Sequence, residues 1–282
     1  MMYKYAVYQP SLNGNEKKYV NECLDSTWIS SKGKFVNEFE KAFSGYIGVK
    51  HGTGVCNGTV AIHLALVALG LGKGDEVIVP TFTYIASANP ILQVGATPVF
   101  ADSRADTWQL DAEDVKAKIT PKTKAIMVVH LYGHPCDMDA IMAIAKDFNL
   151  FVIEDCAEAI GSEYKGKKVG SFGDVACFSF FGNKTITCGE GGMVLTNSDY
   201  LYGRLVHFKG HHSSPNKIDR VVKIFQLYRS KMKVKLKSRI FHRSNIDKSC
   251  RMQIGWNRNI IVSQKILLFT IIIIERTGNT IV

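Results

Sequence analysis

The chain lacks the features of a secreted or disulfide-stabilised protein. Its seven cysteines are odd in number and scattered, and no two form a Cys-x-x-Cys pair, which argues against a disulfide framework and a zinc site. The opening residues 1–5 contain no apolar run and no small-residue cleavage site, so a secretory signal is not expected. These absences favour a reduced, cytoplasmic setting.

Acidic residues, alanine and glycine become scarce after residue 210. Residues 211–282 hold 15 Lys and Arg against 3 Asp and Glu, with no alanine and only two glycines. Residues 1–210 carry a formal charge of −2, so the net charge of +10 comes entirely from the later segment. A change in several compositional properties at one point predicts a domain boundary there.

Three interpretations of residues 211–282 compete. The alternating lysines of 231–239 form a charged face that nucleic-acid phosphates would attract. The apolar run 266–274 suggests a membrane anchor, but its nine residues fall short of the roughly twenty that a bilayer needs. The lack of periodicity favours a third interpretation, a frameshift-like tail that is not a native domain. We therefore expect no nucleic-acid or membrane partner.

Apolar segments of strand and helix length alternate through residues 1–210. This pattern predicts an α/β domain with a mostly parallel sheet covered by helices on both faces, and ligands bind such sheets at the carboxyl ends of the strands. The last two strands are expected to form a hairpin-like pair. The predicted strands are 76–79, 97–101, 124–130, 150–153, 175–180 and 192–196, and the predicted helices are two within 15–43, then 60–66, 84–92, 110–119 and 138–148.

Two charged residues follow predicted strands. Lys184 lies between an apolar strand and a glycine-rich return, and a partly desolvated lysine there can bond covalently to a carbonyl carbon. An ordinary solvated lysine is the alternative. Asp155 ends the 150–153 strand, where a carboxylate can pair with the protonated pyridine nitrogen of pyridoxal phosphate (PLP). A helix cap or turn is its alternative role.

Two further features suit a phosphorylated aromatic ligand. Asn57-Gly58-Thr59 opens a helix, whose free amides and dipole favour a phosphate, although an ordinary N-cap has the same sequence. Tyr84 opens the helix that follows Pro80 and could stack on a ring, although core packing is the usual role of such a side chain.

Five motifs, named in chain order at the end of this paragraph, resemble those of the DegT/DnrJ/EryC1/StrS family of sugar aminotransferases over residues 5–210. The resemblance implies the PLP-binding large domain of a fold-type I aminotransferase that acts as a homodimer. It also implies transfer of an amino group from glutamate to the 4-keto carbon of a nucleotide sugar. Within the family, the segments Tyr8 to Leu12, Asp25 to Gly33 and Phe180 to Thr187 most resemble members that convert GDP-4-keto-6-deoxymannose to GDP-perosamine for surface polysaccharide. The motifs are Asn57-Gly58-Thr59, Pro80 to Tyr84, His130 to Met138, Glu154 to Ala159 and Ser179 to Gly192.

The resemblance assigns roles to individual residues. Lys184 would carry PLP and move a proton during the reaction, and Asp155 would keep the pyridine nitrogen protonated. Ser179 would bind the phosphate together with the amides of Gly58 and Thr59. Relatives that dehydrate their substrate have histidine at the lysine position, so Lys184 favours amino transfer.

The remaining assignments concern the ring. Tyr84 would stack on the cofactor, and Glu158 occupies the position at which many relatives have a glutamine that contacts the ring hydroxyl. A carboxylate at this position needs a proton to make the same contact. Gly52 and Gly54 make the preceding segment richer in glycine than the family pattern, which predicts a looser approach to the phosphate site.

The motifs that carry the resemblance end by about residue 210. A Gly-x-Asn-x-Arg-Met segment and a small C-terminal domain are expected there, and residues 255–258 only superficially echo the segment. We therefore expect poor activity and weak PLP retention from this chain. A catalytically dead domain with a basic binding tail is the alternative function.

Overall fold

The computed structural model describes residues 9–31 and 33–210. The segment 211–282 lies outside these residues, so the predicted domain boundary and the predicted character of the tail stay predictions. Within the described residues, no helix is long and apolar enough to cross a membrane.

Helices and strands alternate along the described chain, as the sequence predicts. A short 3₁₀ turn, Leu131–Gly133, follows β4. The helices are α1 (Glu16–Asp25), α2 (Lys34–Ile47), α3 (Gly58–Leu69), α4 (Ile85–Gln93), α5 (Ala112–Ala117), α6 (Met138–Phe148) and α7 (Asp199–Lys209). The strands are β1 (His51–Val55), β2 (Glu76–Pro80), β3 (Thr97–Ala101), β4 (Thr123–Val129), β5 (Phe151–Asp155), β6 (Glu163–Tyr164), β7 (Lys167–Lys168), β8 (Val175–Ser179) and β9 (Gly192–Thr196).

Seven of the strands form one sheet, in the order β1-β9-β8-β5-β4-β2-β3. Neighbouring strands from β8 to β3 are parallel, whereas β9 runs antiparallel to both β8 and β1. The mostly parallel sheet and the hairpin-like pair of β8 and β9 are therefore confirmed. Strands β6 and β7 form a separate antiparallel ribbon.

Side chains alternate between two buried faces of the sheet, which explains why the strands are apolar throughout. On β8, Val175 and Cys177 pack against residues of α3, whereas Ala176 and Phe178 pack against residues of α2. Helices α3, α4 and α7 cover the first face, and α2, α5 and α6 cover the second. This is the predicted α/β architecture, and it is fold-type I.

Strand β1 is absent from the sequence prediction. Glycine is depleted in strands, so the two glycines of β1, Gly52 and Gly54, hide its strand character in the sequence. A Cβ atom at Gly52 would lie 2.9 Å from Leu195 Cδ2 and 3.0 Å from the Glu40 carbonyl oxygen. Glycine here permits close packing between β1, its neighbour β9 and helix α2. The looser segment predicted from these glycines is therefore replaced by an ordered edge strand.

A buried carboxylate, Glu154, connects the ends of the central strands. Its Oε1 accepts hydrogen bonds from the amides of Phe172 (2.8 Å) and Gly173 (2.7 Å). Its Oε2 accepts one from the amide of Gly170 at 2.6 Å and lies 3.2 Å from Nε2 of the buried His130. Burial alone would raise the pKa of Glu154, but the hydrogen bonds from His130 and the amides outweigh it and lower that pKa.

We predict that Glu154→Gln lowers the free energy of unfolding by about 3 kcal/mol near neutral pH, since either orientation of the amide points its N–H group at another donor. Because folding lowers the pKa of Glu154, its contribution is fully present above the unfolded value of about 4.3 and is lost as the pH falls through the folded value. Urea unfolding at several pH values measures this difference. The exposed Glu38→Gln is the control, and equal losses in the two variants would contradict the prediction.

Candidate active site

Strand alternation decides which polar residues meet at the carboxyl end of the sheet. Asp155 pairs with Cys177 across β5 and β8, so it faces the same side as Cys177, where α3 and α4 lie. Ser179 is two residues beyond Cys177 and shares that face. Glu154 points to the opposite face. The sequence-predicted residues Asp155 and Ser179 therefore lie on one side of the sheet.

Asp155 is buried and fixed by two hydrogen bonds. Its Oδ2 accepts the hydroxyl hydrogen of Ser87 at 2.8 Å, and its Oδ1 accepts the amide of Ala157 at 3.1 Å. Burial raises the pKa of Asp155, while these hydrogen bonds and the charge of Lys184 act against that rise. A cationic partner is what such a carboxylate requires to stay ionised.

Ser87 is a site residue that the sequence reasoning did not identify. Its hydroxyl also bonds to that of Thr83 at 2.9 Å, which connects the start of α4 to the carboxylate. The two hydroxyls are four residues apart, with Thr83 just before the N-cap Tyr84 and Ser87 in the first turn of α4. That spacing is a signal that could have been found, but nothing in it indicates contact with Asp155, which is 68 residues away.

Lys184 is largely buried and paired with a carboxylate. Its side chain is 19% exposed, and its Nζ lies 3.3 Å from Glu158 Oε1. The other oxygen of Glu158 accepts the amide of Tyr132 at 2.9 Å. The Lys184 side chain is therefore mostly buried, and its covalent role stays a prediction. The structure brings Glu158 to Lys184, as a cofactor-contacting position requires, whereas the predicted contact with a ring hydroxyl stays a prediction.

The loop that carries Lys184 is closed by hydrogen bonds at its base. The carbonyl oxygen of Phe180 accepts the Thr187 hydroxyl at 3.0 Å and the Cys188 amide at 3.1 Å, and the Phe180 amide bonds to Gly191 at 2.8 Å. The ring of Phe180 is buried against Phe39, with centroids 5.2 Å apart. Because the two ends of the loop are fixed, the positions that the Lys184 side chain can reach are limited.

The first turn of α3 packs directly on the ends of β8 and β9. A Cβ atom at Gly58 would lie 2.8 Å from Ser179 Cβ, and one at Gly192 would lie 2.6 Å from the carbonyl of Asn57. The Asn57 side chain accepts the Val60 amide at 2.9 Å, so the N-cap alternative is correct. The cap is compatible with anion binding, because the earlier amides of the helix stay outside the helical hydrogen-bond ladder.

Tyr84 is an exposed residue that immediately precedes α4. Its side chain is 73% exposed, so the alternative of core packing is wrong. Its position four residues after the end of β2 places it near the carboxyl end of the sheet. The exposed ring is available for stacking, and its role toward the cofactor stays a prediction.

Three potential metal ligands, His130, Glu154 and Cys156, lie close together beneath the site. Hydrogen bonds already occupy the Glu154 oxygens, and His130 Nδ1 accepts the Cys136 amide at 3.1 Å. Burial raises the pKa of Cys156 to about 12, which keeps its thiol protonated. The cluster therefore acts as a hydrogen-bonded support of the strand ends.

The residues at this edge of the sheet fit PLP. Asp155 suits the pyridine nitrogen, Lys184 the aldehyde carbon, and the turn of Gly58 and Thr59 beside Ser179 the phosphate. PLP supplies an electron sink for reactions at the α-carbon of amino acids. The fold and this set of groups define the large domain of a fold-type I, PLP-dependent aminotransferase.

Comparison with known proteins identifies the family. The chain belongs to the DegT/DnrJ/EryC1/StrS aminotransferase family, whose sequence model matches residues 10–237. It is 67% identical over 204 residues to the GDP-perosamine synthase of Escherichia coli O157:H7, covering 72% of this chain and 56% of that protein. The GDP-perosamine synthase of Vibrio cholerae is 58% identical over 203 residues, with 72% and 55% covered.

A solved structure agrees with these relatives. Spr1654 from Streptococcus pneumoniae, in its PLP form, superposes with a TM-score of 0.68 at 34% identity, covering 72% of this chain and 57% of that one. The chain thus spans a little over half the length of the proteins it matches. The family is PLP-dependent, as the sequence resemblance implies.

We predict that Gly58→Ala weakens PLP binding about tenfold to a hundredfold, because the new methyl group forces the helix start away from Ser179 and costs a charge-assisted hydrogen bond worth about 1.5–3 kcal/mol. Titration of the PLP-free chain with PLP measures the affinity. Gly203→Ala in α7 is the control, since its added Cβ meets nothing within 4 Å. Unchanged affinity in Gly58→Ala would remove this turn from the phosphate site.

Proposed function

We propose that this domain transfers an amino group from glutamate to the 4-keto carbon of GDP-4-keto-6-deoxymannose and so forms GDP-perosamine for surface polysaccharide. The observation that carries the proposal is the mostly buried Lys184, held 3.3 Å from Glu158 in a site that also contains the buried Asp155. Similarity to two GDP-perosamine synthases supports the choice of nucleotide sugar. The reaction is chemically balanced: glutamate leaves as 2-oxoglutarate, the C4 carbonyl becomes C4–NH₂, and one water is taken up for each one released.

Asp155 and Lys184 divide the proton chemistry. With PLP bound, the Asp155 carboxylate would keep the pyridine nitrogen protonated, which favours loss of a proton from the α-carbon of the donor. With PLP bound, Lys184 Nζ would take up the proton lost from the α-carbon of the donor and deliver it to the C4′ carbon of the cofactor. The hydrogen bonds from Ser87 and Ala157 keep the Asp155 carboxylate aimed into the site.

Glu158 positions the lysine and the ring. The Tyr132 amide fixes one carboxylate oxygen, which leaves the other for Lys184 or for a hydroxyl of the cofactor. When PLP is bound, the amides of Gly58 and Thr59 and the hydroxyl of Ser179 would hold its phosphate, and Tyr84 would stack on its ring. We further propose that the active form is a homodimer, as the family resemblance implies.

Reduction with borohydride tests the covalent role of Lys184. We expect the pyridoxyl group on the Lys184 peptide after reduction of the PLP-loaded chain, and no label in Lys184→Arg. Lys168→Arg serves as a control, because Lys168 is a partly buried lysine paired with Glu163 elsewhere on the molecule. A label on another lysine in the wild-type chain would contradict the assignment of Lys184 as the residue that bonds to PLP.

An acceptor assay tests the reaction itself. With glutamate and added PLP, we expect slow formation of amino-sugar product from GDP-4-keto-6-deoxymannose and much less product from a UDP-linked 4-keto sugar. Asp155→Asn should retain the covalent label but lose turnover roughly a hundredfold, since a fixed charge at the reacting ring is removed. Bound and labelled PLP without any turnover would instead favour the catalytically dead domain.

A further inference from the structure

Three exposed aromatic rings form a contiguous surface at the carboxyl end of the sheet. Phe82, Trp108 and Tyr132 are 46%, 56% and 70% exposed. The ring of Phe82 lies 6.1 Å from that of Trp108 and 6.5 Å from that of Tyr132, centroid to centroid. They follow β2, β3 and β4, which are adjacent in the sheet with β2 in the middle. We call these three rings the aromatic platform.

Two of the three aromatic residues have a left-handed backbone conformation. Trp108 has φ 61° and Tyr132 has φ 54°, a conformation that bulky residues rarely adopt. A backbone hydrogen bond fixes each of these two residues. The Trp108 amide donates to the Arg104 carbonyl at 2.8 Å, and the Tyr132 amide donates to the Glu158 carboxylate at 2.9 Å. Strain of this kind concentrates at functional sites, where the surroundings hold it in place.

The buried side chain of Gln109 locks the loops of Trp108 and Tyr132 together. Its Oε1 accepts the Leu131 amide at 3.1 Å, and its Nε2 donates to the Leu131 carbonyl at 3.2 Å. A buried amide with both ends satisfied by one residue fixes the relative position of the two loops. The platform is therefore a preorganised surface.

The platform connects to the candidate active site on two sides. Tyr132 is bonded through its amide to Glu158, which lies 3.3 Å from Lys184 Nζ. Phe82 directly precedes Thr83, whose hydroxyl bonds to Ser87 next to Asp155. A molecule that reacts beside Lys184 has the platform as its neighbouring surface.

We propose that the aromatic platform binds the C–H face of the pyranose ring of the nucleotide-sugar acceptor, an inference that rests on the proposed function. The reacting carbon must approach the amino group to about 3–3.5 Å, which brings the rest of the ring over the adjoining surface. A 6-deoxy sugar presents C–H groups and a methyl group, which aromatic rings bury favourably. Exposed contiguous apolar rings are typical of ligand-binding surfaces.

Calorimetric titration of the PLP-loaded full chain tests the platform, with GDP-mannose and GDP as probes. GDP-mannose carries a pyranose ring but no keto group, so binding is measured without reaction. We expect Phe82→Leu and Trp108→Leu to weaken GDP-mannose about tenfold, while the affinity for GDP changes by less than about twofold. Phe148→Leu is the matched control, because Phe148 is 43% exposed at the end of α6 and should leave both affinities unchanged.

The outcomes separate this inference from the proposed function. Equal weakening of both probes, unchanged affinity for both, or no binding of either to the wild-type chain would overturn the platform as a sugar subsite. A change of oligomeric mass in Phe82→Leu without a change in the preference for GDP-mannose would assign the rings to a subunit contact instead. Labelling of Lys184 does not depend on sugar binding, so the proposed function can stand when the platform fails.

Discussion

A buried carboxylate that must be satisfied is the constraint on which the rest of the site depends. Glu154 has no access to water, so its charge requires the three amides between Gly170 and Gly173 and the imidazole of His130. These bonds join the end of β4, the end of β5 and the turn that leads into β8. Because successive side chains of a strand face opposite ways, fixing Glu154 on one face also fixes Asp155 on the other.

Close contact between backbone segments provides the second constraint. Gly58 meets Ser179, and Gly192 meets Asn57, at distances that leave no room for a side chain. The start of α3 can therefore lie against the strand ends, where the dipole and free amides of a helix attract a phosphate. The lysine loop leaves from the same strand end, so the groups proposed for phosphate binding and for covalent chemistry share one support.

Local patterns predicted most of the elements and several site residues. Apolar runs of strand length located β2 to β5 and β8 to β9, and polar residues directly after them identified Asp155 and Lys184. Strand β1 was not predicted because its glycines have low strand propensity, and only packing on α2 and β9 explains them. Ser87 and Gln109 were not predicted because each looks like an ordinary polar residue until its distant partner is known.

The sequence by itself determined the order and type of most of the elements, the family motifs and the change in charge after residue 210, because these depend on periodicity and composition along the chain. Tertiary structure alone decided which side chains meet. It placed Lys184 beside Glu158, exposed Tyr84 and joined the loops of Trp108 and Tyr132 through Gln109. Such contacts join residues far apart in sequence, and their geometry depends on strand register and side-chain packing, which no local pattern encodes.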